Sequence, residues 1–376
     1  MKLKKLSLNA YRNMEQADLL FGDRFNIFFG NNAQGKTNLL EAIYLLGTMK
    51  SFRLAKNREM IRWGAPYGLL HGWVEKDGVT REITILLEKQ GKKVRVDRKS
   101  VARLADFFGS LNVVVFSPEE MAMAKGLPDG RRRYLDRAIF SGDADYLHLH
   151  HEYYLILRNR NILLKNGDTG DLEVWSDKLA EAGARLMAKR VTYLEEIGPL
   201  LKKFYDAIAG GGEDAGIKYL PHLPDGDLAI KGWSTLLHEA LTKVAEEERR
   251  RGMTLAGPHR DDLEFVLNGM PLKRFGSQGQ QRSFVLALKM AEINYLEDKF
   301  GDPPILLLDD MTSELDRERN RNFMEFLEQR QMQVFITTTS LQNIMLHEAE
   351  QLCTFRIEAG QVLSENRGND DRRKQQ

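Results

Sequence analysis

Residues 25–46 read Phe-Asn-Ile-Phe-Phe-Gly-Asn-Asn-Ala-Gln-Gly-Lys-Thr-Asn-Leu-Leu-Glu-Ala-Ile-Tyr-Leu-Leu: a β-prone apolar run, a loop with two glycines, and a segment in which Leu39, Leu40, Ile43 and Leu46 recur at helical spacing. The loop, Gly30-Asn31-Asn32-Ala33-Gln34-Gly35-Lys36-Thr37, fits the pattern G-x-x-x-x-G-K-[ST] and stands between a strand and a helix, the context in which that pattern binds phosphate. Its glycines let backbone N–H groups wrap an anion at the positive end of the helix. Lys36 is expected to reach the β- and γ-phosphate oxygens, and the Thr37 hydroxyl to bind Mg²⁺. A nucleoside triphosphate site is predicted.

Such a site needs a second ligand for the cation, and Pro304-Ile-Leu-Leu-Leu-Asp309-Asp310 supplies it. Four apolar residues suit a buried parallel strand, which puts Asp309 at its C-terminal edge beside the phosphate loop. Asp309 is expected to hold Mg²⁺ through water. Asp310 is expected to polarise an attacking water, so that Lys36 and Asp310 carry the catalysis.

The chain has 376 residues, 42% apolar and 29% charged, which excludes disordered, collagen-like and disulfide-scaffold classes. The single cysteine, Cys353, cannot form an internal bridge and favours a reducing cytoplasm. The N-terminus lacks an apolar signal core, and no stretch reaches the roughly 18 apolar residues of a membrane span. With 55 Lys+Arg against 54 Asp+Glu the formal charge is +1, so a polyanion must be met by a local patch.

Along the chain, Lys2–Leu8, Asp18–Phe21 and Phe25–Phe29 read as strands, and Leu69–Val74, Thr80–Leu87 and Lys93–Val96 as an appended antiparallel meander. Tyr146–Leu164, Leu172–Ala209 and Ser234–Arg251 read as helices, interrupted by the flexible Gly210–Gly216 segment. Strand patterns return at Leu263–Leu267, Ile305–Leu308 and Gln333–Thr337, alternating with helices at Gly279–Phe300 and Asp316–Gln331. The reading is α/β: a discontinuous ATPase lobe of residues 1–118 and 255–365, a mostly helical lobe of residues 119–254, and a polar disordered tail of residues 366–376.

Ser277-Gln278-Gly279-Gln280 before a long helix resembles the signature loop of ATP-binding-cassette ATPases. Thr312-Ser313-Glu314-Leu315-Asp316 is similar to that superfamily's D-loop, with Ser313 and Asp316 at its key positions. In that superfamily the signature of one subunit closes on ATP held by the phosphate loop of another, so the resemblance implies an ATP-dependent homodimer that hydrolysis reopens. The long insertion between Lys36 and Ser277 has no sustained heptads of the kind that build SMC and Rad50 arms. Further motifs are Ala10-Tyr11-Arg12-Asn13, Phe116-Ser117-Pro118-Glu119, Gly130-Arg131-Arg132-Arg133-Tyr134-Leu135-Asp136 and Gly257-Pro258-His259-Arg260-Asp261-Asp262. With these the chain resembles the RecF family of recombination mediators over all but its tail. The resemblance implies an ABC/SMC-like ATPase head, dimerisation on duplex DNA, work at gaps with RecR and RecO, and promotion of RecA loading. Arg12 stands where SMC-like heads place a nucleotide-contacting basic residue.

Departures from the general ABC pattern predict slow turnover. Val115-Phe116-Ser117-Pro118 lies where a Q-loop glutamine is common, Ile336-Thr337-Thr338-Thr339 where a switch histidine is, and Asp310 is one methylene shorter than the usual glutamate. A weak Mg²⁺-dependent ATPase used as a clock is expected. The rival readings are a transporter's energising subunit and an SMC-like head that bridges DNA with little turnover. Candidates for DNA phosphates are Arg53, Lys56 and Arg58 after the loop helix, and Lys92, Lys93 and Arg95 around a hairpin. His148, His150 and His151 read as non-metal positions, the Arg131–Arg133 run as pairing with Asp136, Glu119 or Glu120, and Met121 and Met123 as core.

Overall fold

The computed structural model describes residues 1–101, 107–168, 170–223, 228–310, 317–343 and 352–367. The chain opens with β1 (Lys2–Tyr11) and β2 (Met14–Leu20), an antiparallel hairpin closing at Tyr11↔Met14. β3 (Phe25–Phe29) and α1 (Lys36–Thr48) flank the phosphate loop as expected. After the single turn α2 (Asn57–Met60) come β4 (Gly68–Lys76), β5 (Val79–Glu88), β6 (Gly91–Val96) and β7 (Lys99–Ser100). The meander is present and larger than predicted, a six-stranded antiparallel sheet in the order β2-β1-β4-β5-β6-β7. Asp77 and Gly78, both at positive φ, make the tight β4–β5 turn whose twist matches the strands. β8 (Val113–Phe116) and the single turn α3 (Pro118–Met121) end this part.

The next stretch holds α4 (Pro128–Gly142), α5 (Ala144–Asn166), α6 (Leu172–Ala209), β9 (Ala215–Leu220), α7 (Leu228–Lys243) and α8 (Ala245–Arg251). β10 (Asp262–Leu267), β11 (Met270–Pro271), α9 (Leu272–Phe275) and α10 (Gln278–Phe300) follow. Ser234–Arg251 reads as one helix from sequence but divides at Val244, after which three glutamates fill the first turn of α8 and three arginines its last, each charge suited to the helix dipole.

The chain returns with β12 (Ile305–Asp309), α11 (Arg317–Glu328), β13 (Val334–Thr338), β14 (Leu352–Glu358) and β15 (Gln361–Arg367). The central sheet runs β15-β14-β3-β13-β12-β8 and is parallel except at β15. β12 and β13 are buried along their whole length, which is why each opens with an apolar run, Ile305–Leu308 and Val334–Ile336, before its polar end. Phe21, Phe28, Phe335 and Phe355 pack ring on ring beneath the sheet, their nearest centroids 4.8 Å apart.

Two compact units result, one of Met1–Met121 with Glu292–Gln376 and one of Ala122–Ala291. Residues 255–291, read from sequence as part of the ATPase lobe, belong with the second unit. The cause is the pairing of β10 with β9 from Asp262↔Leu220 to Leu267↔Ala215. That pairing also takes Ala215 and Gly216 out of the expected flexible break. The predicted tail from Gly368 onward lies outside the described residues.

Candidate nucleotide site

The chain leaves β3 at Gly30, where φ is 146° and an added Cβ would meet the Ile357 carbonyl of β14 at 2.3 Å, so only glycine fits. Gly35, at φ 115°, is pressed against the Asn13 side chain in the same way. Gln34 ties the loop down. Its carbonyl accepts from the Gly360 N–H (2.9 Å) and from Asn13 Nδ2 (3.1 Å), and its Oε1 accepts from the Ala359 N–H (2.6 Å). The β14–β15 turn therefore braces one flank and the β1–β2 turn the other, while Asn31, Asn32 and Ala33 stay exposed. Lys36 Nζ arches over the loop and donates to the carbonyls of Gly30 (2.7 Å) and Asn31 (2.8 Å). Burial pushes its pKa down, and the carboxylates of Asp310 and Asp309 act against that.

Across from Lys36, Thr37 Oγ1 donates to Asp309 Oδ1 at 2.8 Å. β13 lies between β3 and β12, and its register sets Thr337 opposite Asp309. Thr337 Oγ1 donates to the same Oδ1 at 2.8 Å and accepts the Asp310 N–H at 2.9 Å. Asp310 sits at φ 52°, a left-handed turn that carries its side chain past the strand end. Burial holds the Asp309 carboxyl above the usual carboxylate range; the two threonine hydroxyls pull it back, and Glu119 and Asp310 push it further up. Thr337 and Glu119 thus join the site although neither was read as a functional side chain. Sheet register and the β8–α3 turn bring them there.

Arg12, at φ 54°, donates through Nε and Nη2 to the two carboxylate oxygens of Glu41 (2.7 and 2.6 Å) and through Nη1 to the Glu59 carbonyl. Glu41, fully buried on α1, would be raised by burial, but hydrogen bonds from Arg12 and Ser51 outweigh it and hold its pKa low. With Asn13 and Asn38, Arg12 borders a groove of about 1520 Å³ in which Arg53, Arg58, Arg62 and Lys89 gather. Trp63 lies there 98% exposed, a residue that the sequence reading passed over; an aromatic two residues beyond Ile61 and next to Arg62 was its signal.

The remaining sequence candidates are dispersed. Lys56 is exposed and its N–H caps against Glu59. Lys92 is exposed and donates one ammonium hydrogen to the Met49 carbonyl at the end of α1. Lys93 pairs with Glu88 at 2.8 Å, and Arg95 is exposed on β6. In the other unit Arg131 pairs with Asp262, Arg132 donates to the Asp261 carbonyl, and Arg133 pairs with Asp129. Asp136 takes Arg190 at 2.8 Å. Ser277 and Gln278 are exposed, and Ser277 caps α10: its Oγ accepts the Gln280 N–H at 3.1 Å while Gln280 Oε1 accepts the Ser277 N–H at 2.7 Å. Ser313 and Asp316 lie outside the described residues. Among the described residues no group of three or more His, Cys, Asp or Glu side chains is arranged around a common metal position, and no helix is long and apolar enough to cross a membrane.

A sequence model for the RecF/RecN/SMC N terminal domain matches residues 2–364. The chain belongs to the RecF family. It is 61% identical to the DNA replication and repair protein RecF of Geotalea uraniireducens, over 96% of this chain and all of that one. Among solved structures, that of the recombination mediator protein RecF with ATP from the RecFOR pathway superposes with a TM-score of 0.87 at 34% identity, covering 97% of each chain. The Smc head domain of Pyrococcus furiosus shares the fold alone, with a TM-score of 0.54 at 14% identity over 97% of this chain and 96% of that one. The α/β ATPase head expected from the motif order is the fold of the RecF family.

Proposed function

We propose that the chain is a DNA-replication and repair ATPase that uses Mg-ATP as a switch. The observation that carries this reading is the constellation in which Lys36, Thr37, Asp309, Thr337 and Asp310 converge on the braced loop. Gly30–Thr37 wraps the phosphates, and Lys36 exchanges the Gly30 and Asn31 carbonyls for phosphate oxygens. A hydroxyl and a carboxylate oxygen 2.8 Å apart suit a small hard cation, so Thr37 and Asp309 would hold Mg²⁺, which supplies charge neutralisation at the phosphates. Asp310, beyond the buried strand end, orients the water. The groove beside Arg12 takes the base, with the Trp63 indole free to stack on it.

Ser277, Gln278, Gly279 and Gln280 complete the site of a second copy, giving a homodimer conditional on ATP, with Ser313 and Asp316 as the D-loop between them. Arg53, Lys56, Arg58, Lys92, Lys93 and Arg95 are the candidates for DNA phosphates, which predicts sequence-independent binding to double-stranded and gapped DNA. A solved relative comes from the RecFOR pathway, which supports RecR and RecO as partners in the cytoplasm. Fluorescence anisotropy of a labelled gapped duplex, with and without Mg-ATP and beside Lys36→Met at two salt concentrations, tests the proposal. Binding that needs ATP, weakens with salt and is lost in Lys36→Met supports it. Absence of DNA binding under every nucleotide condition overturns it.

A further inference from the structure

Gln280 has a second engagement that the capping of α10 does not require. Its Nε2 donates at 2.5 Å to Oε1 of Glu213, and Oε2 of the same carboxylate accepts from the Tyr205 hydroxyl at 2.6 Å. Tyr205 is fully buried on α6, so the chain of contacts runs from a fixed point in the helical unit to the start of α10. Glu213 follows Gly210, Gly211 and Gly212, all at positive φ with open space around each α-carbon, a backbone that reaches its place without side-chain packing of its own. A carboxylate on such a loop is held by what it bonds to.

The clamp fixes which way the Gln280 amide faces. With Nε2 on Glu213, Oε1 is turned to the Ser277 N–H, and the reciprocal cap is locked. Ser277 Oγ then serves as an acceptor for the Gln280 N–H, which leaves its proton to donate outward. If the amide were free to rotate, Nε2 would meet the Ser277 N–H donor to donor and the cap would open. We infer that Glu213, held by Tyr205, is a positioning residue that presets the signature loop for the γ-phosphate of a second copy's nucleotide. The inference rests on the reading that Ser277–Gln280 acts on the partner's site, and nothing in the family motifs assigns a role to Glu213.

The test uses full-length chains in ATP hydrolysis and in binding of a fluorescent ATP analogue. Glu213→Ala should lower hydrolysis by about tenfold or more while analogue affinity of the free chain stays within about twofold, because the defect lies in the loop offered to a partner. Tyr205→Phe, which removes only the hydroxyl behind the carboxylate, should show a weaker form of the same pattern. Mixing Glu213→Ala with Lys36→Met should restore activity, since one of the two composite sites then combines a sound phosphate loop with a sound signature loop. Gly279→Asp, which places an anion where phosphate would lie, serves as the control partner for Lys36→Met. If that control mixture recovers while Glu213→Ala either behaves as wild type or is not restored, the clamp is overturned and the shared site stands. If neither mixture recovers, the shared site itself is wrong and the clamp falls with it.

Discussion

Thr337 shows how one hydroxyl can organise two acids. It donates to Asp309 and accepts from the Asp310 backbone, so replacing it with the isosteric valine leaves a buried carboxylate with one partner fewer and an N–H with none from that side chain. Thr337→Val should lower stability by about 1–3 kcal/mol in urea unfolding and slow hydrolysis by about tenfold. Nucleotide affinity should change little, because Thr37 and Lys36 are untouched; a loss of affinity with hydrolysis preserved would contradict this division of roles. Trp63 is the opposite case, an indole 98% exposed that the fold itself does not need. Trp63→Ala should leave the unfolding midpoint unchanged, abolish most of the nucleotide-induced change in intrinsic fluorescence and weaken nucleotide binding by about tenfold. Unaltered affinity would remove Trp63 from the base site.

At the scale of the element, the Gly257–Asp262 segment links the helices of its unit through polar groups. Arg190 of α6, fully buried, donates to the Pro258 carbonyl at 2.7 Å and pairs with Asp136 of α4, whose carboxyl it holds far below the usual range against the effect of burial. His259 Nδ1 lies 2.6 Å from the Tyr153 hydroxyl of α5; burial lowers its pKa to about 4, and Arg260, Arg132 and Arg190 add to that while the Thr254 carbonyl opposes it. A histidine near 6.5 when unfolded and near 4 when folded binds more protons in the unfolded chain between those values. Its contribution to stability is complete above pH 6.5 and is lost as pH falls toward 4. Denaturation curves should show about 2 kcal/mol lost between pH 6.5 and pH 5, and His259→Gln should flatten that window. An equal pH dependence in His259→Gln would assign the loss to other groups. None of this network was legible in the sequence, since Arg190, Asp136 and His259 are far apart in the chain. The β3–loop–α1 unit and the β12 acids were legible because each is a local pattern with its own period. β9 and β14 were missed because their partners, β10 and β3, lie far along the chain, β15 because it pairs only with β14, and Thr337 because only its register opposite Asp309 gives it a task.

At the scale of the whole molecule, a formal charge of +1 means that affinity for DNA cannot rest on the overall field. Under the proposed function it comes from a few local cations made more effective when two copies present them together, which is the proposed nucleotide dependence. The lifetime of the paired state under the proposed function is then set by hydrolysis. Asp310 is the group placed to speed that step, on a left-handed turn beyond the buried end of β12 and close enough to Asp309 and Lys36 to influence both. Asp310→Asn keeps the size of the side chain and removes its basicity, so nucleotide should still bind and pair the chains while the reset fails. Light scattering after addition of limiting Mg-ATP should show the wild type rising to about twice its monomer mass and decaying as ATP is consumed. Asp310→Asn should rise to the same mass and hold it at least about tenfold longer. In the same samples, release of gapped duplex should follow the decay in the wild type and stall in the variant. If Asp310→Asn decays as fast as the wild type, dissociation is independent of hydrolysis, and nucleotide turnover is not the clock.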